Sequence, residues 1–372
     1  MVVILRLHCG PQSARWMTKP ALTGITKPDL TEALTALGEQ GYRATQILQW
    51  VFEKRATDFS QMTNLGQKLR EKLAETYTLR SSEPAHEANS EDTTQKYLYR
   101  LHDGRYVESV LIPANPALYG EKSDRHTICV SSQVGCAYGC KFCASGLAGF
   151  TRNLTSAEIV EQILHTEQIS GHKVNNLVFM GMGEPLANLT NLLQAIEIIN
   201  AEWGIHIGAR KMTISTSGLA PQIKKLADHP LQVRLAISLH GATDEVRDQI
   251  MPVNTKYPLA ALTDALDYYQ QRKKQKITFE FILIEGINDG LDQARELARL
   301  ARQLHTKVNL IPYNTVDGLP WKRPSQNQQE AFLTVLKKAG VTATLRREKG
   351  HDINAACGQL RLKRETEEGV IV

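Results

Sequence analysis

The sequence lacks any run of residues long and apolar enough to span a bilayer. Residues 1–9 are briefly apolar, but they lack the basic leader, the full apolar run and the small-residue cleavage site of a secretory signal peptide. The composition, 42% hydrophobic and 22% charged, is that of an ordinary globular protein and argues against long disorder and against a membrane protein. We therefore expect a cytoplasmic protein that does not act at a membrane.

Cysteine is scarce and unevenly distributed. The six cysteines are Cys9, Cys129, Cys136, Cys140, Cys143 and Cys357. Four of them fall within fifteen residues, which is not the distribution of a disulfide framework. In a large intracellular chain, such a spacing favours metal ligation.

The excess of positive over negative charge is also small. The 44 lysines and arginines exceed the 39 aspartates and glutamates by five, and the pI is near 8.8. Such a balance suits a polyanionic partner without identifying one.

The length of 372 residues predicts one large catalytic domain and a smaller accessory domain. Near the N-terminus, Asp29 and Glu32 resemble a capping box, and apolar residues follow at helical spacing in three segments, near residues 30–37, 44–51 and 65–73. They predict a small helical domain. Its glycine turns suit phosphate binding, although a plain helical bundle fits the pattern equally well. The polar run 81–94 is typical of a linker.

A β-hairpin is predicted next, with strands near 97–101 and 106–112 around the turn pair Asp103-Gly104. Six strand-like runs then alternate with helical patterns, at residues 127–131, 176–181, 212–216, 233–240, 277–284 and 307–313. This alternation predicts an α/β fold with a parallel sheet. About six units correspond to an open, partial (βα)6 barrel, in which the chemistry lies at the C-terminal ends of the strands.

Three cysteines directly follow the first of these strands. Cys136, Cys140 and Cys143 have the spacing C-x3-C-x2-C, in a loop that also contains glycines. Three thiolates leave one iron of a [4Fe–4S] cluster open, and the amino and carboxylate groups of S-adenosylmethionine (SAM) can chelate that iron. The alternative is zinc, but structural zinc takes four protein ligands and no nearby fourth partner presents itself. We therefore predict a cluster, with Phe142 shielding it.

The cysteine spacing after the first strand of a βα array resembles the radical SAM superfamily. Other motifs, in matching order over about residues 25–362, resemble the RlmN/Cfr family of RNA adenosine methyltransferases. They are CVSSQVGC at 129–136, GMGEP at 181–185, STSG at 215–218, SLH at 238–240, IPYN at 311–314 and AACGQL at 355–360. We accordingly expect an N-terminal extension at 1–24, a helical RNA-binding domain and linker at 25–95, a β-hairpin at 96–121, the radical SAM core at 122–351 and a C-terminal segment at 352–372.

The resemblance also implies how SAM is held. The implied SAM-binding residues lie at successive strand ends and are Gly183, Glu184, Ser215, Ser238, Leu239, His240 and Asn314. Polar residues in such positions form the mouth of a pocket. Taken singly, His240 would more often be a packing histidine, and the Gly-Pro segment an ordinary turn. The implied cofactors are one [4Fe–4S] cluster and two molecules of SAM per turnover.

Cys129 and Cys357 lie outside the triplet, and each has an ordinary interpretation as a small buried hydrophobe. The resemblance implies more. Cys357 takes a methyl group from one SAM, and a radical made from a second SAM removes a hydrogen from this thioether. The methylene radical adds to an electron-poor adenine carbon. Glu108 then accepts the ring proton, and Cys129 attacks the Cys357 sulfur to leave a disulfide that a reductant resets.

Three basic runs are candidates for phosphate contact, at residues 272–276, 322–323 and 346–349, although each is also compatible with a solvated face. The last run contains Arg346, Arg347 and Lys349 and lies nearest to Cys357, so it is the strongest candidate.

One branch of the family methylates adenine C2 and the other C8, conferring resistance to ribosome-directed antibiotics. The helical N-terminal domain and residues 144–154 resemble the C2 branch. Its substrates are an adenosine in the peptidyl-transferase centre of 23S rRNA and an anticodon-loop adenosine in tRNA. We also expect an electron donor as partner and a monomeric enzyme. The alternatives are C8 methylation and a non-catalytic RNA-binding metal or redox protein.

Overall fold

The computed structural model describes residues 19–91, 93–114, 123–147, 149–314 and 318–346. The strands are β1 (Ser82–Asn89), β2 (Gln95–Leu101), β3 (Tyr106–Pro113), β4 (His126–Cys129), β5 (Gln133–Gly135), β6 (Phe150–Asn153), β7 (Asn176–Phe179), β8 (Met212–Thr216), β9 (Arg234–Ser238), β10 (Thr278–Leu283), β11 (Lys307–Pro312) and β12 (Ala343–Leu345). The α-helices are α1 (Lys27–Ala36), α2 (Tyr42–Phe52), α3 (Gln67–Thr76), α4 (Ala144–Leu147), α5 (Ser156–Ser170), α6 (Leu189–Asn200), α7 (Ala220–Asp228), α8 (Asp244–Ile250), α9 (Leu259–Lys273), α10 (Leu291–Gln303) and α11 (Gln326–Lys338). Within these ranges no helix has both the length and the apolar character needed to cross a membrane.

One ten-stranded sheet organises the fold, in the order β1-β2-β3-β4-β7-β8-β9-β10-β11-β12. Within this sheet β4 and β7 to β12 run parallel, with helices in each crossover, whereas β1 to β4 pair antiparallel. Strands β5 and β6 form a separate antiparallel pair. The predicted partial barrel of βα units is therefore confirmed. A short seventh parallel strand, β12, follows the six predicted ones. With three residues it is too short to show a periodic pattern in the sequence.

The three predicted helical segments near the N-terminus are confirmed as α1, α2 and α3, but the predicted capping box at Asp29 and Glu32 is wrong. Helix α1 begins at Lys27, and its N-cap is Thr26, whose side chain accepts a hydrogen bond from the Asp29 amide at 3.3 Å. Pro28 in the first turn lacks an amide hydrogen that would be unpaired there anyway, so it favours this earlier start.

The polar run 81–94 is not a linker throughout, because it contains β1. This strand pairs antiparallel with β2, from Ser82 opposite Leu101 to Asn89 opposite Gln95. Most of its side chains are exposed, as befits the edge strand of a sheet. It shows none of the apolar alternation from which a strand is recognised in sequence. The predicted hairpin of β2 and β3 is confirmed.

Helix α5 joins the N-terminal helices to the sheet. Every residue from position 156 to position 166 of α5 is buried. The Thr23 hydroxyl donates to Glu161 at 2.6 Å, and the Ser156 hydroxyl donates to the Gly24 carbonyl at 3.0 Å. On the sheet side, the Tyr99 hydroxyl of β2 lies 2.6 Å from Thr166 Oγ1. The helix thereby fixes the accessory region against β2 and leaves the opposite face of that strand turned away from α5.

Candidate active site

The three predicted cluster ligands lie in a loop between β5 and α4. The Cys136 amide donates to the Gly149 carbonyl at 2.8 Å, and the Cys143 amide donates to the Cys140 carbonyl at 3.1 Å. Gly135 has a φ of +77°, and a Cβ built on it would lie 2.0 Å from the Gly149 carbonyl oxygen. Only glycine allows the chain to turn here with its backbone so close to a neighbouring strand.

The chemistry of this donor set fits an iron–sulfur cluster. Burial raises the pKa of Cys136 to about 12 and also raises the pKa of Cys140, and the neighbouring thiols raise both further. Thiolates are therefore disfavoured here without a compensating positive charge, which the irons of a cluster supply.

The number of ligands bears on the zinc alternative. Among the residues described above, no three His, Cys, Asp or Glu side chains are arranged to hold a metal ion. Structural zinc takes four protein ligands, whereas a cluster with one open iron takes three. The number of ligands in the triplet Cys136, Cys140 and Cys143 thus suits a cluster better than a zinc ion.

The structure brings several of the predicted SAM-binding residues together where β7, β8 and β9 end. The Ser215 and Ser238 hydroxyl oxygens lie 3.2 Å apart. Glu184 is buried, and its carboxylate accepts hydrogen bonds from the Ser217 amide at 2.7 Å and the Ser217 hydroxyl at 2.8 Å. Burial raises the pKa of Glu184, so a cationic group placed beside it would favour its ionised form. Gly183, with a φ of +98°, lies directly before it.

His240 connects the end of β9 to the loop of residues 136–143, which carries the three cysteines and is called the cluster loop below. Its Nδ1 accepts a hydrogen bond from the Ile282 amide at 3.0 Å, which assigns the ring proton to Nε2. Burial, together with the nearby charge of Arg247, lowers the pKa of His240 to about 3, so the ring is neutral at physiological pH. The His240 and Phe142 rings pack nearly perpendicular to each other, with 4.8 Å between centroids. His240 therefore presents a neutral N–H donor beside the cluster loop.

Leu239 and Asn314 occupy different surroundings. Leu239 is fully buried, and its amide donates to the Glu280 carbonyl at 3.0 Å. Asn314 follows β11 and accepts a hydrogen bond from Arg323 at 2.7 Å. A group of packed apolar side chains joins this end of the sheet to the cluster loop. The group consists of Ala144, Ile284 and Tyr313, with Phe142 and Trp321 packed against them. The predicted pocket residues thus lie along one rim, at the C-terminal ends of the parallel strands.

Arg247, on α8, belongs to this site without having been predicted. Its guanidinium is fully buried and donates to the Leu239 carbonyl and, at 3.0 Å, to the Ser217 carbonyl. Burial lowers the pKa of Arg247 to about 10, while the neighbouring Cys140 acts in the opposite direction. Arg247 therefore ties the ends of β8 and β9 together next to the cluster loop. In sequence it is one charged residue of a short polar helix, a pattern that predicts exposure.

A second group of predicted residues lies on the antiparallel part of the sheet. Cys129 of β4 pairs with Val110 of β3, and Val110 also pairs with Lys96 of β2. Paired residues, and residues two apart in a strand, point to the same face, so Lys96, Glu108 and Cys129 share one face. Lys96 Nζ lies 2.9 Å from Glu108 Oε2, and the two side chains are 0% and 3% exposed. The predicted Glu108 is thus part of a buried ion pair that the sequence did not reveal.

The basic runs divide into residues with different surroundings. In the run 272–276, Arg272 pairs with Asp228 at 2.7 Å, and Lys273 is buried and donates to backbone carbonyls. Lys273 is therefore structural, whereas Arg272 lies in an exposed ion pair. Arg346 is exposed directly after β12. Cys357, Arg347 and Lys349 lie outside the described residues.

Comparisons with known proteins agree with this geometry. The family model for the ribosomal RNA large subunit methyltransferase N-terminal domain matches residues 21–79, and the radical SAM superfamily model matches residues 130–301. A probable dual-specificity RNA methyltransferase RlmN from Akkermansia muciniphila is 56% identical over 348 residues, covering 94% of this chain and 97% of that protein. The dual-specificity RNA methyltransferase RlmN of Geobacter sulfurreducens is 44% identical over 92% of each chain.

A solved structure has the same fold. The crystal structure of a radical SAM methyltransferase from Sphaerobacter thermophilus is 42% identical in sequence and superposes with a TM-score of 0.85, over 91% of this chain and 98% of that one. The N-terminal helices, the cluster loop and the parallel strand ends are each matched by a family model or by this structure. The chain belongs to the RlmN family of radical SAM RNA methyltransferases.

Proposed function

We propose that this enzyme methylates C2 of an adenosine in the peptidyl-transferase centre of 23S rRNA and of an anticodon-loop adenosine in tRNA. The observation that carries the proposal is the cysteine loop beside Ser215, Ser238 and His240 in a chain of the RlmN family. The name "dual-specificity RNA methyltransferase" of its relatives supports two RNA substrates. Because both RNAs belong to translation, we propose that the enzyme acts in the cytoplasm. We also propose that it is a monomer. The helical part of residues 25–95 is proposed to contact RNA.

We propose that Cys136, Cys140 and Cys143 hold one [4Fe–4S] cluster, and that two molecules of SAM are used in each turnover. The proposed SAM-binding residues are Gly183, Glu184, Ser215, Ser238, Leu239, His240 and Asn314. When bound, the cluster supplies the electron that cleaves SAM. Around it, the Glu184 carboxylate is placed to accept a hydrogen bond from the SAM ammonium group, and neutral His240 is placed to donate one from Nε2. We propose that Phe142, which packs against His240, shields this side from water.

The covalent chemistry is proposed for three further residues. Cys357 carries the carbon that is transferred and becomes joined to the adenine ring. The adduct gives up its unpaired electron to a one-electron acceptor, a role open to the oxidised cluster, and Glu108 accepts the ring proton. Cys129 then attacks the Cys357 sulfur; the electron pair of the broken carbon–sulfur bond stays on the transferred carbon, which takes a proton to become the methyl group, and a disulfide forms. Glu108 and Cys129 share a sheet face, as this sequence of steps requires. An external reductant restores the two thiols.

Nucleoside analysis by mass spectrometry tests the proposal. The anaerobically reconstituted protein is incubated with SAM, a reductant and an unmodified 23S rRNA fragment, and in parallel with tRNA. We expect 2-methyladenosine in both RNAs, together with 5′-deoxyadenosine. Finding 8-methyladenosine instead would retain the chemistry and replace the C2 assignment. An intact cluster with neither methylated nucleoside would contradict the proposed function.

A further inference from the structure

The Lys96–Glu108 ion pair is unusual in its burial. Both charged side chains are essentially inaccessible, at 0% and 3% exposure, with 2.9 Å between Nζ and Oε2. Lysine and glutamate are almost never fully buried unless they are paired. Desolvation of a buried ion pair offsets most of its attraction, and apolar replacements often give equal or greater stability. Stability alone therefore does not account for this pair.

The position of the pair indicates a role in the reaction. Lys96, Val110 and Cys129 lie in one row across three strands, and Glu108 is two residues along β3 from that row. The backbone of Glu108 is fixed, because the Ser131 hydroxyl donates to its carbonyl at 2.7 Å.

The other face of the same strands is already filled. Ser109 donates to Gln162 at 2.8 Å and Tyr99 contacts Thr166, and both partners belong to α5. The pair therefore points away from α5, on the face that carries the proposed thiol nucleophile Cys129.

We propose that Lys96 is a positioning residue for proton removal from the adenine ring. Its ammonium holds the Glu108 carboxylate in one orientation, so that Glu108 is positioned to accept the proton. In that step the C–H bond breaks at the ring carbon that bears the transferred carbon of Cys357. The electron pair of that bond stays in the ring. The proton forms an O–H bond on Glu108 beside the Lys96 charge. This inference rests on the proposed function, through the role of Glu108.

The first test separates proton removal from the earlier steps. Lys96→Met, Lys96→Arg and Glu108→Gln are prepared with full cluster content, and each reacts with SAM, reductant and a labelled 23S rRNA fragment. We expect Lys96→Met to form 5′-deoxyadenosine and the protein–RNA adduct at the unaltered rates, but to release methylated RNA about 10- to 100-fold more slowly, a fraction of the ~10²–10⁴-fold typical of a general base. Lys96→Arg keeps a positive charge and restores part of the release rate. Release from Lys96→Met at the unaltered rate, while Glu108→Gln is slow, overturns the inference.

Lys96→Met removes the ammonium beside the Glu108 carboxylate while that carboxylate stays buried, which destabilises the fold. A second comparison therefore uses the double variant Lys96→Met/Glu108→Gln, which buries no charge at either position. Because Lys96 acts through Glu108, the double variant should release RNA as slowly as Glu108→Gln alone. A further slowing would show that Lys96 acts independently and would overturn the inference. Unaltered protein that forms neither adduct nor methylated RNA would instead refute the proposed function itself.

Discussion

Cys129 is buried at the end of β4, in register with Val110 and on the face that carries Glu108. Since its thiol is proposed to release the RNA by attacking the Cys357 sulfur, its removal should stop the reaction after the RNA is attached. We expect Cys129→Ala to accumulate a covalent protein–RNA adduct and Cys357→Ala to form none. Denaturing gel electrophoresis with labelled RNA measures both outcomes.

Cys9 provides the control for that experiment, because it lies outside every motif discussed above. Cys9→Ala should turn over without accumulating adduct, which separates a specific effect from the general loss of a thiol. Full activity in both Cys129→Ala and Cys357→Ala would rule out the two-cysteine scheme.

Single residues differ in how well the sequence predicted them. The position of the three cysteines in one loop was predictable because their spacing is itself the signal, and that of His240 and Glu184 because motifs mark the strand ends. Lys96 and Arg247 were not, although they are among the most buried charged residues that the structure describes. A lysine in a strand or an arginine in a polar helix predicts exposure, and its burial depends on partners distant in sequence, such as the Ser217 carbonyl.

At the scale of elements, one buried carboxylate of α5 contributes three of the contacts that hold the accessory region to the sheet. Glu161 accepts hydrogen bonds from the Thr23 hydroxyl at 2.6 Å, the Ser82 hydroxyl at 2.6 Å and the Ser81 amide at 2.9 Å. Glu161→Ala leaves these donors without their acceptor, so we expect it to lower the free energy of unfolding by about 1–3 kcal/mol. Urea denaturation monitored by circular dichroism measures the change.

Glu197→Ala is the matched control, because Glu197 is exposed on α6. Its effect should stay within about 0.5 kcal/mol. Equal effects of the two substitutions would show that the carboxylate of Glu161 does not anchor the accessory region.

The elements that the sequence predicted share one property, a local apolar pattern. The core strands β7 to β11 each carry buried apolar residues, and only the first residue of β9 and of β11 is exposed, so their position and order could be inferred. Strand β1 has exposed polar side chains and owes its structure to the hydrogen bonds of β2. The pairing of a polar edge strand is set by its neighbour, and no pattern within the strand itself encodes it.

At the scale of the whole molecule, an RNA substrate has to reach the C-terminal ends of the parallel strands with little help from net charge. The excess of five positive charges is small. Arg272 and Lys273 are held by contacts within the protein. Arg346 is exposed where β12 ends, and its amide donates to the Leu310 carbonyl of β11 at 2.8 Å. Arg346 lies at the C-terminal ends of the parallel strands, as does the cluster loop. This position makes Arg346 a stronger candidate for a phosphate contact than Arg272 or Lys273.

Arg346→Glu should therefore weaken RNA binding while SAM cleavage is retained, because the guanidinium is proposed to contact a phosphate and not the cofactor. Fluorescence anisotropy over a range of salt concentrations measures the affinity, and we expect the slope of log K against log salt to fall by about 1. Lys338→Glu makes the same charge change at the end of α11, before β12 begins and therefore at the opposite edge of the sheet. If binding depended only on net charge, the two variants would lose equal affinity. A selective loss in Arg346→Glu would place the RNA at the strand ends, and unchanged affinity there would exclude Arg346 from the interface.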